Sequence, residues 1–251
     1  MPLYAIGDLH LSLASDKPMD VFGGGWDNYV EKIKTGFSLL GPDDVCVLCG
    51  DISWGMSLEE SLEDFRFISR LPGSKIVLKG NHDYWWDTAT KMKAALARDG
   101  IDNIEILNNN CFFYDGAAIC GTRGWLMDAE KDSKHYARND AAENAEHGSA
   151  EHGSAKHNAK IMAREVSRLR ASLKAAGNAS EKLCFFHYPP RFYDFVCPEI
   201  IAAMNEFGVK KCWYGHIHGH GHRFAVRGEV EGITYEMISA DFVDFVPQRV
   251  M

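Results

Sequence analysis

Nothing in the chain approaches the roughly 20 consecutive apolar residues that a membrane-crossing helix requires. Basic charge is short as well: 27 lysines and arginines face 35 aspartates and glutamates, a formal net charge of −8. No run of Lys or Arg offsets that balance, so the counterion release that drives binding to polyanions has no broad surface to act on. Nucleic acid is therefore a disfavoured partner. A second CxxC is missing too. Cys46 and Cys49 form one such pair inside the apolar run DVCVLCGD, where a strand sends the two side chains to opposite faces, and nothing completes a zinc site. The seven cysteines are odd in number and mostly embedded in apolar runs, which reads as buried thiols in a reducing compartment. No repeat of long period marks a solenoid. What these absences leave is a cytoplasmic protein without membrane attachment and without a signature of any particular oligomeric state. Its 251 residues, 46% of them hydrophobic, suit one domain over 1–251 with a large core.

What the chain does have is a series of short apolar runs, each closed by a polar cluster: LYAIGD (3–8), DVCVLCGD (44–51), KIVLKGNHD (75–83), AAICGTRG (117–124), KLCFFHYPP (182–190) and KKCWYGHIH (210–218). These predict strands with function-rich loops at their C-terminal ends. Between them WDNYVEKIKTGFSLL, SLEESLEDFRFISRL, DTATKMKAALARDG and KIMAREVSRLRASLKAA carry helical periodicity. The alternation favours a layered α/β fold with its site along the strand ends. The stretch 145–158 repeats AEHGS and holds three of the 11 histidines; it reads as a solvated low-complexity insertion ahead of a helix, with no assigned chemistry.

The polar clusters share a plan. Asp8 and His10 in GDLH stand two apart, so a carboxylate and an imidazole can converge. Gly50 and Asp51 repeat the arrangement after the second strand, and Gly80, Asn81, His82 and Asp83 after the third. Any one of them could be an ordinary turn. Three in succession, joined by His187 in FFHYPP and by GHIH, assemble two Asp, an Asn and four His, all oxygen or imidazole donors with no thiolate. That inventory suits two divalent first-row ions roughly 3.5–4 Å apart, with one carboxylate bridging them.

In this ordered pattern, D-x-H, G-D, G-N-H-[DE], H and G-H-x-H from Asp8 to His218, the chain resembles the calcineurin-like metallophosphoesterase superfamily. The context LPGSKIVLKGNHDYWW is similar to bacterial predicted phosphohydrolases of unsettled substrate. The resemblance implies a four-layer α/β/β/α sandwich with a dinuclear centre at the strand C-terminal ends. It also implies that Asp8, His10, Asp51 and His218 hold one metal, and that Asp51 bridges to a second held by Asn81, His187 and His216. The expected cofactors are two divalent ions of Mn, Fe or Zn. The expected activity is hydrolysis of a phosphomonoester or phosphodiester of a small molecule by a metal-bridging hydroxide, with His82 protonating the leaving oxygen. Asp83 would orient His82 or cap the helix that starts near Asp87. A nuclease and a non-catalytic scaffold of the same fold are the competing readings; intact ligand positions and His82 weigh against the scaffold.

Departures from the pattern narrow the expectation. Phosphoprotein phosphatases of the superfamily carry an arginine shortly after the second aspartate, whereas GDISWG has Ser53 and Trp54 there. Arg123 in GTRGW follows another strand and could bind phosphate with both guanidinium nitrogens, or be a surface or structural arginine. Trp54, Trp85, Trp86 and Trp125 could stack on a planar leaving group or pack under loops. In YGHIHGHGH the glycines after His218 favour a turn, and RFAVRGEVEGITYEMIS reads as a hairpin leaving the site. His220 and His222 are then not ligands, and His222 touches substrate or orients a ligand from behind.

Overall fold

Residues 2–125 and 155–251 are described by the computed structural model, so most of the tandem-repeat segment, 145–154, lies outside the described residues. The last four residues of that segment, 155–158, already belong to the helix it was expected to precede.

Each of the six apolar runs is a strand. β1 (Leu3–Ile6), β2 (Val45–Cys49), β3 (Ser74–Leu78) and β4 (Ile104–Ile106) pair in parallel. β5 (Phe112–Tyr114) opens a second sheet antiparallel to β6 (Ala117–Thr122), followed by β7 (Glu181–Phe186). After a small hairpin of β8 (Arg191–Phe192) and β9 (Phe195–Val196) come β10 (Lys211–Tyr214) and the hairpin of β11 (Gly228–Val230) with β12 (Ile233–Met237). β13 (Gln248–Arg249) returns antiparallel to β1. The sheet orders are β13-β1-β2-β3-β4 and β11-β12-β10-β7-β6-β5. Within the second, β6, β7, β10 and β12 are parallel.

Side-chain alternation along these strands makes the layers. Leu3, Ala5, Val47, Cys49, Ile76 and Leu78 of the first sheet meet Ala117, Ile119, Leu183, Phe185 and Trp213 of the second in one apolar core between the sheets. The intervening residues point outward. Cys46, Leu48 and Val77 pack under α1 (Tyr29–Phe37), α2 (Leu58–Arg70) and α3 (Ala89–Arg98) through Ile33, Phe37, Phe65, Ile68, Met92 and Leu96. Cys120, Cys184, Phe186, Cys212 and Tyr214 pack under α4 (Ala155–Ala175) and α5 (Pro198–Glu206) through Leu169, Leu173, Ile200 and Met204. The result is the α/β/β/α sandwich that the resemblance implied. Cys46 and Cys49 do lie on opposite faces of β2, and all seven cysteines are free.

Helix ends follow local chemistry. Ser57 caps α2 by accepting from the Glu60 amide, and the Glu60 carboxylate accepts in return from the Met56 amide. α3 is capped by Thr88, which accepts from the Lys91 amide. Among the described residues, no helix is long and apolar enough to cross a membrane.

Candidate metal centre

Because the central strands of both sheets are parallel, their C-terminal ends share one edge, and the polar clusters meet there. The two sheets are stitched at that edge: Gly7 donates to Ile238 O at 2.8 Å, and Ala240 donates back to Gly7 O at 3.0 Å. Asp8 N–H reaches Gly50 O at 2.9 Å, and His10 N–H reaches Asp51 O at 2.9 Å, which sets the first two clusters side by side.

Donor atoms of Asp8, His10 and His218 lie within 4.8 Å of one another, and so do those of Asp51, His187 and His216. Asn81 joins the second group, its Oδ1 2.5 Å from His187 Nε2. Asp51 Oδ2 faces both groups, 3.7 Å from His10 Nε2 and 3.5 Å from His187 Nε2. All seven residues that the resemblance singled out therefore converge, with Asp51 Oδ2 lying near both groups.

Several of these residues are held in the left-handed region that ordinary side chains avoid: Asp8 (φ 60°), His10 (φ 46°), Asp51 (φ 50°) and His216 (φ 71°). The glycines of the motifs permit close approach. A Cβ on Gly80 would overlap Asp51 Oδ1 and its amide, and one on Gly215 would overlap the Asp8 carboxylate. Asp51 Oδ1 also accepts the His82 N–H at 2.8 Å, while His216 N–H donates to Asp8 Oδ2 at 2.9 Å. Tautomers are fixed from behind: His187 Nδ1–H donates to Cys49 O at 3.1 Å, leaving Nε2 as a lone pair toward the centre.

The electrostatics match cation binding. Burial, then the neighbouring imidazoles, holds His10 and His187 well below the usual imidazole range and His216 at about 3, so all three present neutral nitrogen. Burial, with Asp83 and Asp8 adding repulsion, pushes Asp51 well above the usual carboxylate range. Divalent cations against these carboxylates would reverse that penalty. An oxygen and imidazole donor set, three of its four histidines neutral and its carboxylates crowded, fits two such ions; at His218, which the Asp241 and Asp8 carboxylates raise well above the usual imidazole range against the pull of burial, an ion would displace a proton.

Around this centre the expectations for Asp83, His222 and the tryptophans resolve differently. Asp83 does not cap α3. Fully buried, it accepts from the amides of Asp51 (2.9 Å), Ile52 (2.8 Å) and Gly80 (2.7 Å) and from Trp85 Nε1 (3.0 Å). Its carboxylate thus ties the Asp51 loop to the Asn81 loop, with both oxygens engaged away from proton transfer. Asp83→Ala is expected to strand three buried amides at roughly 1–3 kcal/mol each. Its denaturation midpoint should fall well below that of Asp87→Ala, and equal midpoints would contradict this role.

The segment after His218 is not extended but winds into a 3-10 turn, Gly219–Phe224, and β11–β12 forms the expected hairpin. His220 is exposed on that turn. His222 Nε2 points instead to Asp241 Oδ2 at 3.2 Å, and His218 Nδ1–H donates to Asp241 Oδ1 at 2.8 Å. Asp241 was absent from the sequence-level candidates; its signal was one more carboxylate after an apolar strand, in MISAD.

Arg123 is 9% exposed, with its guanidinium 5.0 Å from the Trp125 ring and 5.9 Å from that of Tyr188, which in turn lies 4.3 Å from His216. Trp54, three residues after Asp51, is stacked 5.0 Å from His10 and tilted 4.5 Å from His82. Trp54, Trp85 and Trp125 are buried, so they pack beneath the loops rather than offer a stacking platform.

Residues 1–220 match the calcineurin-like phosphoesterase family. Among solved structures, phosphopantetheinyl hydrolase (PptH) from Mycobacterium tuberculosis is similar over 100% of this chain and 95% of its own, at 16% identity and a TM-score of 0.57. The protein of unknown function AQ665 from Aquifex aeolicus aligns over 99% of this chain and 95% of its own, at 16% identity and a TM-score of 0.48. No curated protein gives a significant match.

Proposed function

The chain belongs to the calcineurin-like phosphoesterase family, and from that premise we propose that it is a dinuclear metal-dependent phosphohydrolase acting on a small phosphorylated molecule. The observation that carries the reading is Asp51 Oδ2, 3.7 Å from His10 Nε2 and 3.5 Å from His187 Nε2, one carboxyl oxygen shared by two donor groups.

Asp8, His10 and His218 with Asp51 would hold one ion; Asp51, Asn81, His187 and His216 would hold the other. Bound there, Mn, Fe or Zn ions supply Lewis acidity toward the phosphoryl oxygens and lower the pKa of water. The protein's own contribution is a rigid frame. His82, half-buried with its ring 5.7 Å from that of His10, would give a proton to the leaving oxygen. Trp54 backs that ring. Arg123, beside His216 through Tyr188, would bind a phosphoryl oxygen. The acidic balance, −8 overall, supports a small substrate over nucleic acid, and the seven free thiols support a cytoplasmic setting.

A panel of phosphomonoesters, phosphodiesters and cyclic nucleotides, offered to the metal-reconstituted protein, tests the reading; turnover of nucleic acid alone would contradict it. His82→Ala is expected to keep its metal content and lose roughly 10²–10⁴ in kcat, as for a lost general acid. The loss should shrink on an aryl phosphate, whose leaving oxygen needs no proton. Equal losses on alkyl and aryl esters would contradict proton donation by His82.

A further inference from the structure

His218 differs from His187 in what stands behind it. A backbone carbonyl, Cys49 O, holds His187, whereas a carboxylate, Asp241, holds His218 at 2.8 Å. Asp241 lies in the loop after β12, beyond the 1–220 stretch that matches the family. Its register is set by the stitch between the sheets, where Gly7 bridges Ser239 in parallel, so Asp8 and Asp241 follow the same pair of hydrogen bonds on two different strands. The side chain is 5% exposed. Its two oxygens divide the work: Oδ1 takes His218 Nδ1–H at 2.8 Å and Oδ2 takes the Gly219 N–H at 3.0 Å, with His222 Nε2 lying 3.2 Å from Oδ2.

From this geometry we infer that Asp241 is a positioning residue that turns His218 into an ion ligand. An ionised carboxylate only accepts, so Nδ1 of His218 carries a proton and Nε2, 3.7 Å from Asp8 Oδ1, is the nitrogen turned toward the centre, where an ion would take the place of any proton it holds. The same carboxylate anchors the first amide of the 3-10 turn, which keeps the His218 backbone at the strand end. It also places a buried negative charge behind one ligand of one ion, strengthening that imidazole as a donor. This inference rests on His218 being a ligand.

The test is Mn²⁺ titration by calorimetry of the chelator-stripped full chain, comparing Asp241→Ala, Asp241→Asn and His218→Ala with His220→Ala as control, each checked for its metal-free melting temperature. Asp241→Ala is expected to weaken one of the two sites about 10–100-fold and to leave the other unchanged. Asp241→Asn, whose amide oxygen still accepts from Nδ1–H, should recover part of that loss. The weakened site should be the one His218→Ala removes, so combining the two variants should cost that site nothing further. Wild-type affinities in Asp241→Ala would overturn the inference. So would equal weakening of both sites with a matching fall in metal-free melting temperature, since that marks a role in the fold alone. If His218→Ala itself keeps both ions, the ligand assignment fails and the inference falls with it.

Discussion

Asp51→Asn is expected to abolish turnover and to loosen both ions together. The substitution is nearly isosteric, and an amide oxygen can still accept the His82 N–H that Oδ1 takes at 2.8 Å, so the loop around it should survive. What disappears is the carboxylate whose Oδ2 lies between the ring Nε2 atoms of His10 and His187, one in each donor group. Losing it leaves each cation with less compensating charge in a buried setting, where uncompensated charge costs most. The metal-free protein should respond in the opposite sense. Burial and the repulsion of Asp83 and Asp8 raise the Asp51 carboxyl well above its unfolded value. A carboxyl raised on folding takes stability away as pH climbs through its folded pKa. At neutral pH the stripped Asp51→Asn protein should therefore melt higher than the stripped wild type, while binding metal worse. Two tightly held ions in this variant, by elemental analysis, would contradict the bridging assignment.

The second large effect divides the histidine cluster that ends β10. His216→Ala and His218→Ala should each lose an ion and nearly all activity, because each removes a donor from a group whose members already converge within 4.8 Å. His220→Ala should keep two ions per chain and most of its turnover. The even spacing of the four histidines suggests a shared face only while the backbone is extended. At Gly219, with φ of 51°, it turns instead, and the 3-10 geometry of Gly219–Phe224 carries His220 to the surface. Loss of an ion from His220→Ala would contradict this division.

The residues that converge here were legible because each sits within a few positions of the end of an apolar strand and all but His187 belong to a motif opened by a glycine, which at Gly80 and Gly215 the crowding around Asp51 and Asp8 requires. Local sequence is enough to mark such positions. The layering was not legible in the same way. Val47 and Cys49 face one core and Cys46 and Leu48 the other, so the strand is apolar on both sides and its pattern names no partner for either face; the resemblance to a family supplied what alternation could not. β13 and the β8–β9 hairpin passed unnoticed because two residues carry no period. Asp83 shows the limit of neighbourhood in sequence: adjacent to His82, it serves amides some thirty positions earlier in the chain. Asp241 shows the same limit from the other side, since its tie to His218 spans 23 positions and exists only through the stitch between the two sheets.

The central claim is that two divalent ions, sharing Asp51, are required for phosphoester hydrolysis by this chain. The most direct measurement is a stoichiometric titration: protein stripped by chelator, then loaded stepwise with Mn²⁺ while bound metal and aryl phosphate turnover are followed together. The account predicts no turnover in the stripped protein and activity that rises to a plateau at two ions per chain. Full turnover in the stripped protein, or a plateau reached at one ion, would contradict it.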